Sequence, residues 1–160
     1  MLTLRVQDEG DEKKLSTNKI VNAVACFNEG FTCGQALLSA FGEELGLNRE
    51  LALKIACAFG GGMACMGETC GAVTGAFMVI GLKHGRTIVG DRPAKNKTYT
   101  LTRSFRKAFE ARNGSIVCRE LLNVDISTPE GMTLAEEKKL FKRHCPNFVK
   151  DAAEILDELL

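Results

Sequence analysis

Capping residues stand ahead of almost every apolar run in this chain, and they confine it to a helical fold. Thr32-Cys33-Gly34-Gln35 has the spacing of a capping box, in which each end residue satisfies the other's backbone amide. It predicts a helix carrying Leu37, Leu38 and Phe41 that ends at Gly46. Asn18 and Asn48 precede runs of similar period, the first through Ile20, Val24 and Phe27, the second through Leu51, Leu53, Ile55 and Ala58. Thr69 precedes a very apolar helix from Cys70 to about His84, and Asn113-Gly114 closes one from about Ala94 with Tyr99, Phe105 and Phe109 near one face. Ser115 caps a short helix, and Thr133-Leu134-Ala135-Glu136 repeats the capping-box spacing. Cys145-Pro146 starts the last helix, because proline is tolerated at a first helical position. No hairpin signal competes. The expectation is an all-α fold: a single compact multi-helix domain over residues 18–160, of about seven or eight helices, several short. A polar N-terminal arm over 1–17, extended at 1–6, precedes it.

Charge narrows the function. The 21 Lys and Arg nearly cancel the 20 Asp and Glu, leaving +1, which argues against nucleic acid as a partner. The basic group Lys138, Lys139, Lys142 and Arg143 reads as the wet face of one helix. Residues 1–14 do not form a secretory leader, and the apolar stretch Cys70 to Leu82 is too short to insert in a membrane. These points favour a cytoplasmic, reducing location.

Seven cysteines then stand out, since cytosolic thiols are kept reduced and an odd number cannot fully pair within a chain. Thr-Cys-Gly occurs at 32–34 and again at 69–71, each time opening a helix. Cys33 and Cys70 follow a capping threonine, Cys118 lies in the first turn after Ser115, and Cys145 sits at a cap. A first helical turn offers unpaired amides and the positive end of the macrodipole. A thiolate there is stabilised, so its pKa is expected to drop from ~8.5, and the thiolate is the form that attacks disulfides and binds metals. Cys26 and Cys57 fall inside helices and read as packed hydrophobes. Cys65, in the loop between Gly60-Gly61-Gly62 and Thr69, is an auxiliary thiol candidate, with Glu68 the acid nearest the thiols.

Other signatures are missing. No C-x-x-C supports a thioredoxin pair or a zinc ribbon, and the glycine run leads to no Gly-Lys-Ser/Thr. Those glycines read as a sharp turn that lets backbones approach closely. Gly71, Ala72, Gly75 and Ala76 form a small-residue face on the apolar helix that would admit another helix. His84 suits a helix C-terminus, and His144 has no third partner in view.

Cys33 in Thr-Cys-Gly-Gln-Ala, the segment Cys70-Gly71-Ala72-Val73-Thr74-Gly75, Cys118 in Asn-Gly-Ser-Ile-Val-Cys-Arg-Glu-Leu-Leu, and Cys145 together resemble the bacterial and archaeal C_GCAxxG_C_C family of redox-active proteins. The resemblance spans roughly 18–156 and implies a helical fold, a redox role and the four cysteines Cys33, Cys70, Cys118 and Cys145 as site residues. Some members are selenoproteins. The family is also similar to the non-haem part of split-Soret cytochrome c, which implies an iron–sulfur cluster or other thiolate-bound metal on the same four cysteines. Cys26, Cys57 and Cys65 lie outside the four-cysteine pattern, and Asn123 stands where glycine is expected, a residue that also tolerates left-handed backbone.

Three readings follow: a thiol-based oxidoreductase using these cysteines, a four-cysteine iron–sulfur or metal module, and a non-catalytic helical interaction protein. The redox partner is not legible. The small-residue helix and apolar C-terminus would suit a homodimer.

Overall fold

The computed structural model describes residues 18–160, so the expected arm over 1–17 lies outside the described residues. The capping box forms as read: the Gln35 amide donates to Thr32 Oγ1 at 3.4 Å and the Thr32 amide to Gln35 Oε1 at 2.9 Å. This starts α2 (Cys33–Gly42), preceded by α1 (18–28), in which Asn18 is already helical. Asn48 caps α3 (Arg49–Ala56), its side chain accepting the Leu51 amide at 2.9 Å. The inward face of α3 is Ala52 and Ala56, while Leu51 and Ile55 are exposed. Short 3₁₀ turns follow α2 and α3, at Glu43–Leu45 and Cys57–Phe59.

The central element is α4 (Gly71–His84), buried along nearly all of its first ten residues. A helix apolar on every side belongs in a core. It packs on α2, on α5 (Arg92–Asn113) and on α8 (Leu140–Leu159); α6 (Cys118–Leu121) and α7 (Pro129–Glu137) lie between the last two in sequence. Asp91 caps α5 by accepting the Ala94 amide at 3.0 Å, two residues earlier than expected, and Gly114 ends it with φ +85°. Phe105 and Phe109 point inward, whereas Tyr99 is exposed. Phe77, Phe105, Phe109 and Phe148 form a ladder across α4, α5 and α8, with ring centroids 5.9, 6.0 and 6.5 Å apart.

The fold is all-α, with eight α-helices among the described residues and no named strand there. The two last helix starts differ from expectation. Thr128, not Thr133, caps α7: its Oγ1 accepts the Gly131 amide at 3.0 Å, with Pro129 in the first turn. Thr133 is interior and donates back to the Pro129 carbonyl at 2.9 Å. α8 begins at Leu140, where Lys139 turns the chain with φ +53°, so the basic group at 138–143 straddles a helix break instead of lining one helix.

The contact that organises the bundle is between α2 and α4. A Cβ on Gly75 would come 2.9 Å from Gly34 Cα and 3.0 Å from Leu37 Cβ; one on Gly71 would meet the Phe59 carbonyl at 2.9 Å. The small-residue face expected to suit a homodimer is therefore occupied by α2 of the same chain. Gly75→Ala is expected to destabilise the fold by about 1–3 kcal/mol through overpacking. Gly81→Ala, on the same helix with nothing within 4 Å, should stabilise it by roughly 0.5–1 kcal/mol from helix propensity. Urea unfolding of the two variants measures both; equal effects would show that the close contact is not what the glycine serves.

Candidate functional site: a cavity floored by four thiols

Because α2 and α4 cross so closely, their N-termini deliver two cysteines to one place. Cys33 is the first residue of α2 after the Thr32 cap, and its Cβ would lie 3.2 Å from a Cβ on Gly71. Cys70, not Thr69, is the N-cap of α4, which therefore starts one residue later than read, with φ −51° and ψ 136° at Cys70. Cys118 opens α6, a single turn capped by extended Val117; Ser115 acts two residues before that cap, accepting the Val117 amide at 2.9 Å.

Cys145 is a correction. It is the sixth residue of α8, not a helix start, and Pro146 lies inside that helix. A proline there cannot donate to the carbonyl four residues back, which leaves the Lys142 carbonyl without its helical donor. The sequence conceals this start because a lysine, not glycine, makes the left-handed break before it.

All four cysteines are buried, at 7, 3, 5 and 5% exposure in chain order, and all line a single cavity of ≈ 520 Å³. Its walls carry the half-buried rings of Phe27, Phe31, Phe141 and Phe148, and its edge carries exposed Asn28, Gly30 and Lys142. The structure thus brings the four sequence-predicted site residues to one cavity.

A left-handed turn closes another side. Gly61, Gly62, Met63, Ala64 and Cys65 have φ of +61°, +66°, +64°, +49° and +60°. For non-glycine residues this costs roughly 1–2 kcal/mol each. Long backbone bonds hold it: Ala64 N to the Ala58 carbonyl at 2.8 Å, Cys65 N to that of Gly60 at 3.0 Å, and Glu68 N to that of Gly62 at 3.0 Å. Gly62 is also pressed on Cys118, since a Cβ there would lie 2.6 Å from that residue's Cβ. Beyond the turn, the Cys118 amide donates to the Glu68 carbonyl at 2.6 Å and the Cys70 amide to the Ile116 carbonyl at 2.8 Å, around an isolated bridge between Thr69 and Val117. Arg119 fastens this pairing, donating to the carbonyls of Gly67 at 3.1 Å and Met66 at 3.3 Å and pairing with the Glu68 carboxylate. Glu68 therefore serves the thiols through its backbone, with its exposed carboxylate turned to Arg119.

Burial divides the thiols electrostatically. Hydrogen bonding with Cys145, then with Cys70, and then burial push the Cys33 thiol well above its ordinary pKa. Cys70 goes the other way: hydrogen bonding from Cys33 lowers it, opposed by burial and aided by the amides of Ala72 and Val73 at the α4 N-terminus. Those amides act as a local positive field, since the Cys70 side chain makes no capping hydrogen bond of its own. Burial pushes Cys118 up to about 12, with the neighbouring Cys70, Cys145 and Cys65 adding to it. The expected lowering at helix starts thus holds for Cys70 and reverses for Cys33 and Cys118, where desolvation and thiol neighbours outweigh the dipole.

Among the remaining candidates, Cys26 is buried 3.5 Å from Ser39 Oγ, as a packing thiol would be. Cys57 is exposed in the 3₁₀ turn after α3, contrary to its reading as a packed residue. Cys65 is exposed on the left-handed turn, and His144 is exposed on α8. Burial and the charges of Lys97 and Lys83 hold His84 below the usual histidine range. All seven cysteines are free thiols. Among the described residues, no group of three or more His, Cys, Asp or Glu side chains is spaced to hold a single metal ion. No helix among them is long and apolar enough to cross a membrane. Sequence reasoning missed the phenyl walls and Arg119; Phe31 just before the Thr32 cap was the available hint, as an apolar residue preceding an N-cap commonly packs over the first turn.

Fold and site define an all-helical protein with a buried thiol cluster. The chain belongs to the C_GCAxxG_C_C family: the family model described as "Putative redox-active protein (C_GCAxxG_C_C)" matches residues 31–159. No curated protein and no solved structure matches it. Asn123 adopts φ +51°, so the left-handed turn survives where glycine was expected.

The opposed shifts predict an order of reaction. Titrated with iodoacetamide and read by peptide mass spectrometry, Cys70 should alkylate with a midpoint below the free-thiol value of ~8.5, while Cys118 should stay largely protonated at that pH. Because the Cys70 pKa is lower folded than unfolded, its contribution to stability is full above the unfolded value and is lost as pH falls through the folded one. A Cys70 midpoint at or above that of an unfolded peptide would contradict the assignment.

Proposed function

We propose that Cys33, Cys70, Cys118 and Cys145 form a redox centre that cycles between dithiol and disulfide, with Cys70 the attacking thiolate and Cys33 the thiol that closes the bond. The observation that carries this is geometric: Cys33 and Cys70 open the closely packed N-termini of α2 and α4 and line one buried cavity together with Cys118 and Cys145. In the oxidising direction the Cys70 thiolate and the Cys33 thiol join in one S–S bond, the Cys33 S–H breaks, and one proton and two electrons leave. Cys145 neighbours the same thiol and can take over the bond by exchange, and Cys118 remains a protonated reserve. Such a centre belongs in a reducing, cytoplasmic setting, and its activity would be that of a thiol oxidoreductase. Cys65, exposed outside the cavity, is at most an accessory thiol.

A second reading rests on the donor set itself. Four buried thiols from four separate segments facing one roomy cavity are the ligand chemistry of an iron–sulfur cluster, and Cys33, Cys70, Cys118 and Cys145 would hold it. A bound cluster would supply one-electron transfer. A single thiolate-bound ion fits less well, since the thiols are not spaced for one.

Anaerobic purification followed by iron and sulfide analysis separates the two readings. For the first, brief oxidation of metal-free protein with diamide and non-reducing peptide mapping should yield a Cys33–Cys70 disulfide. Cys70→Ser should abolish it, and Cys26→Ser should leave its yield within about twofold. Stoichiometric iron with visible absorption, lost in each of the four serine variants, would favour the cluster. A Cys33–Cys70 bond that never forms would end the dithiol reading.

A further inference from the structure

The thiol centre lies where a protein disulfide cannot follow. Its four cysteines are at most 7% exposed, and the way in is the cavity, between phenyl rings and past Asn28, Gly30 and Lys142. A volume of ≈ 520 Å³ falls within the ~300–1,000 Å³ typical of small organic ligands. The lining is chiefly apolar and its polar side chains Asn28 and Lys142 stand at the edge, so a hydrophilic disulfide would surrender most of its hydration on entry and find few polar partners inside.

We propose that this cavity binds a quinone as the two-electron partner of the Cys33–Cys70 dithiol; the inference rests on the dithiol reading above. Three observations select that chemistry. The walls offer four half-buried phenyl rings, Phe27, Phe31, Phe141 and Phe148, which suit edge or face contact with a flat ring. Lys142 lines the cavity from an exposed position, so a cationic donor is at hand for one carbonyl oxygen while the rest of the ligand stays among apolar groups. The floor holds a thiol pair that yields two electrons together. A quinone accepts two electrons with no leaving group to expel from a buried site, whereas a disulfide substrate must release a thiol from it.

The step balances. The Cys70 thiolate, the Cys33 thiol, one quinone and one proton from solvent give the Cys33–Cys70 S–S bond and one hydroquinone. The Cys33 S–H bond breaks, the two carbonyl groups become hydroxyls, the sulfurs are oxidised and the ring is reduced.

The probe is duroquinone, whose four ring methyls hinder direct thiol addition, given anaerobically to the reduced full chain. One equivalent should be reduced per chain, with the Cys33–Cys70 disulfide appearing at the same rate. Cys70→Ser should still bind duroquinone by calorimetry yet reduce none. Phe141→Glu, at the second position of α8 where an acid suits the helix, should slow reduction by about tenfold or more by putting a charge on the apolar wall. Phe141→Leu should retain most of the rate, and circular dichroism establishes that both variants fold. If diamide forms the disulfide while duroquinone neither binds nor is reduced, the quinone inference falls and the dithiol centre stands. If neither oxidant forms the disulfide, the dithiol reading falls. Equal reduction rates in folded Phe141→Glu and the parent would remove the cavity as the site.

Discussion

Everything near the thiols depends on how closely α2 and α4 approach. Gly34, Gly71 and Gly75 meet with backbone against backbone, leaving no space for a Cβ at Gly71 or Gly75. Glycine inside a helix is unfavourable by roughly 1 kcal/mol relative to alanine, so the contact must return at least that much through packing. What it delivers is geometric. Two helix N-termini come together, each carrying a cysteine at its first position or its cap. The same crossing leaves the other faces of α4 to α5 and α8, and the phenyl ladder through them ends at Phe148, which is also a cavity wall.

The second constraint is the left-handed turn at 61–65. Three of its five residues are not glycine, so it is strained, and its unusual long-span backbone bonds offset that strain. A polar loop could close a helical bundle more cheaply. This one does more, because Gly62 packs on Cys118 while the outgoing segment 67–70 pairs with 116–119 beside the Arg119 side chain. Cys118 is thereby fixed by backbone bonds on both sides although its own helix is only one turn long.

The helical class, most of the helices and the first capping box were legible because they depend on local chemistry: Thr32 with Gln35, Asn48 with Leu51, Gly114 after α5. The start of α8 was not, since Lys139 adopts a conformation that its side chain does not advertise. Thr128-Pro129 was a legible cap that the similar spacing at Thr133 obscured. Motif and capping together chose the four cysteines that meet in space, but for Cys145 the capping half of that argument was mistaken. The direction of the thiol pKa shifts could not be read locally at all. A helix dipole is visible in sequence; desolvation by Phe27, Phe31, Phe141 and Phe148, which are scattered along the chain, is not.

That desolvation determines what the cluster can do. In a cavity of low polarity, one thiolate raises the cost of the next, because like charges are screened weakly there. Cys70 is the thiol whose pKa is lowered, by hydrogen bonding from Cys33 and by the field of the two amides at the α4 N-terminus. Cys33 keeps its proton because hydrogen bonding with Cys145 and Cys70, together with burial, favours the thiol, and Cys118 keeps its own through burial. Four thiols of one chemical kind thus acquire unequal roles from position alone. The same field bears on the oxidant: an acceptor that arrives neutral and leaves neutral, taking protons with its electrons, adds no charge to a site where burial opposes each further one.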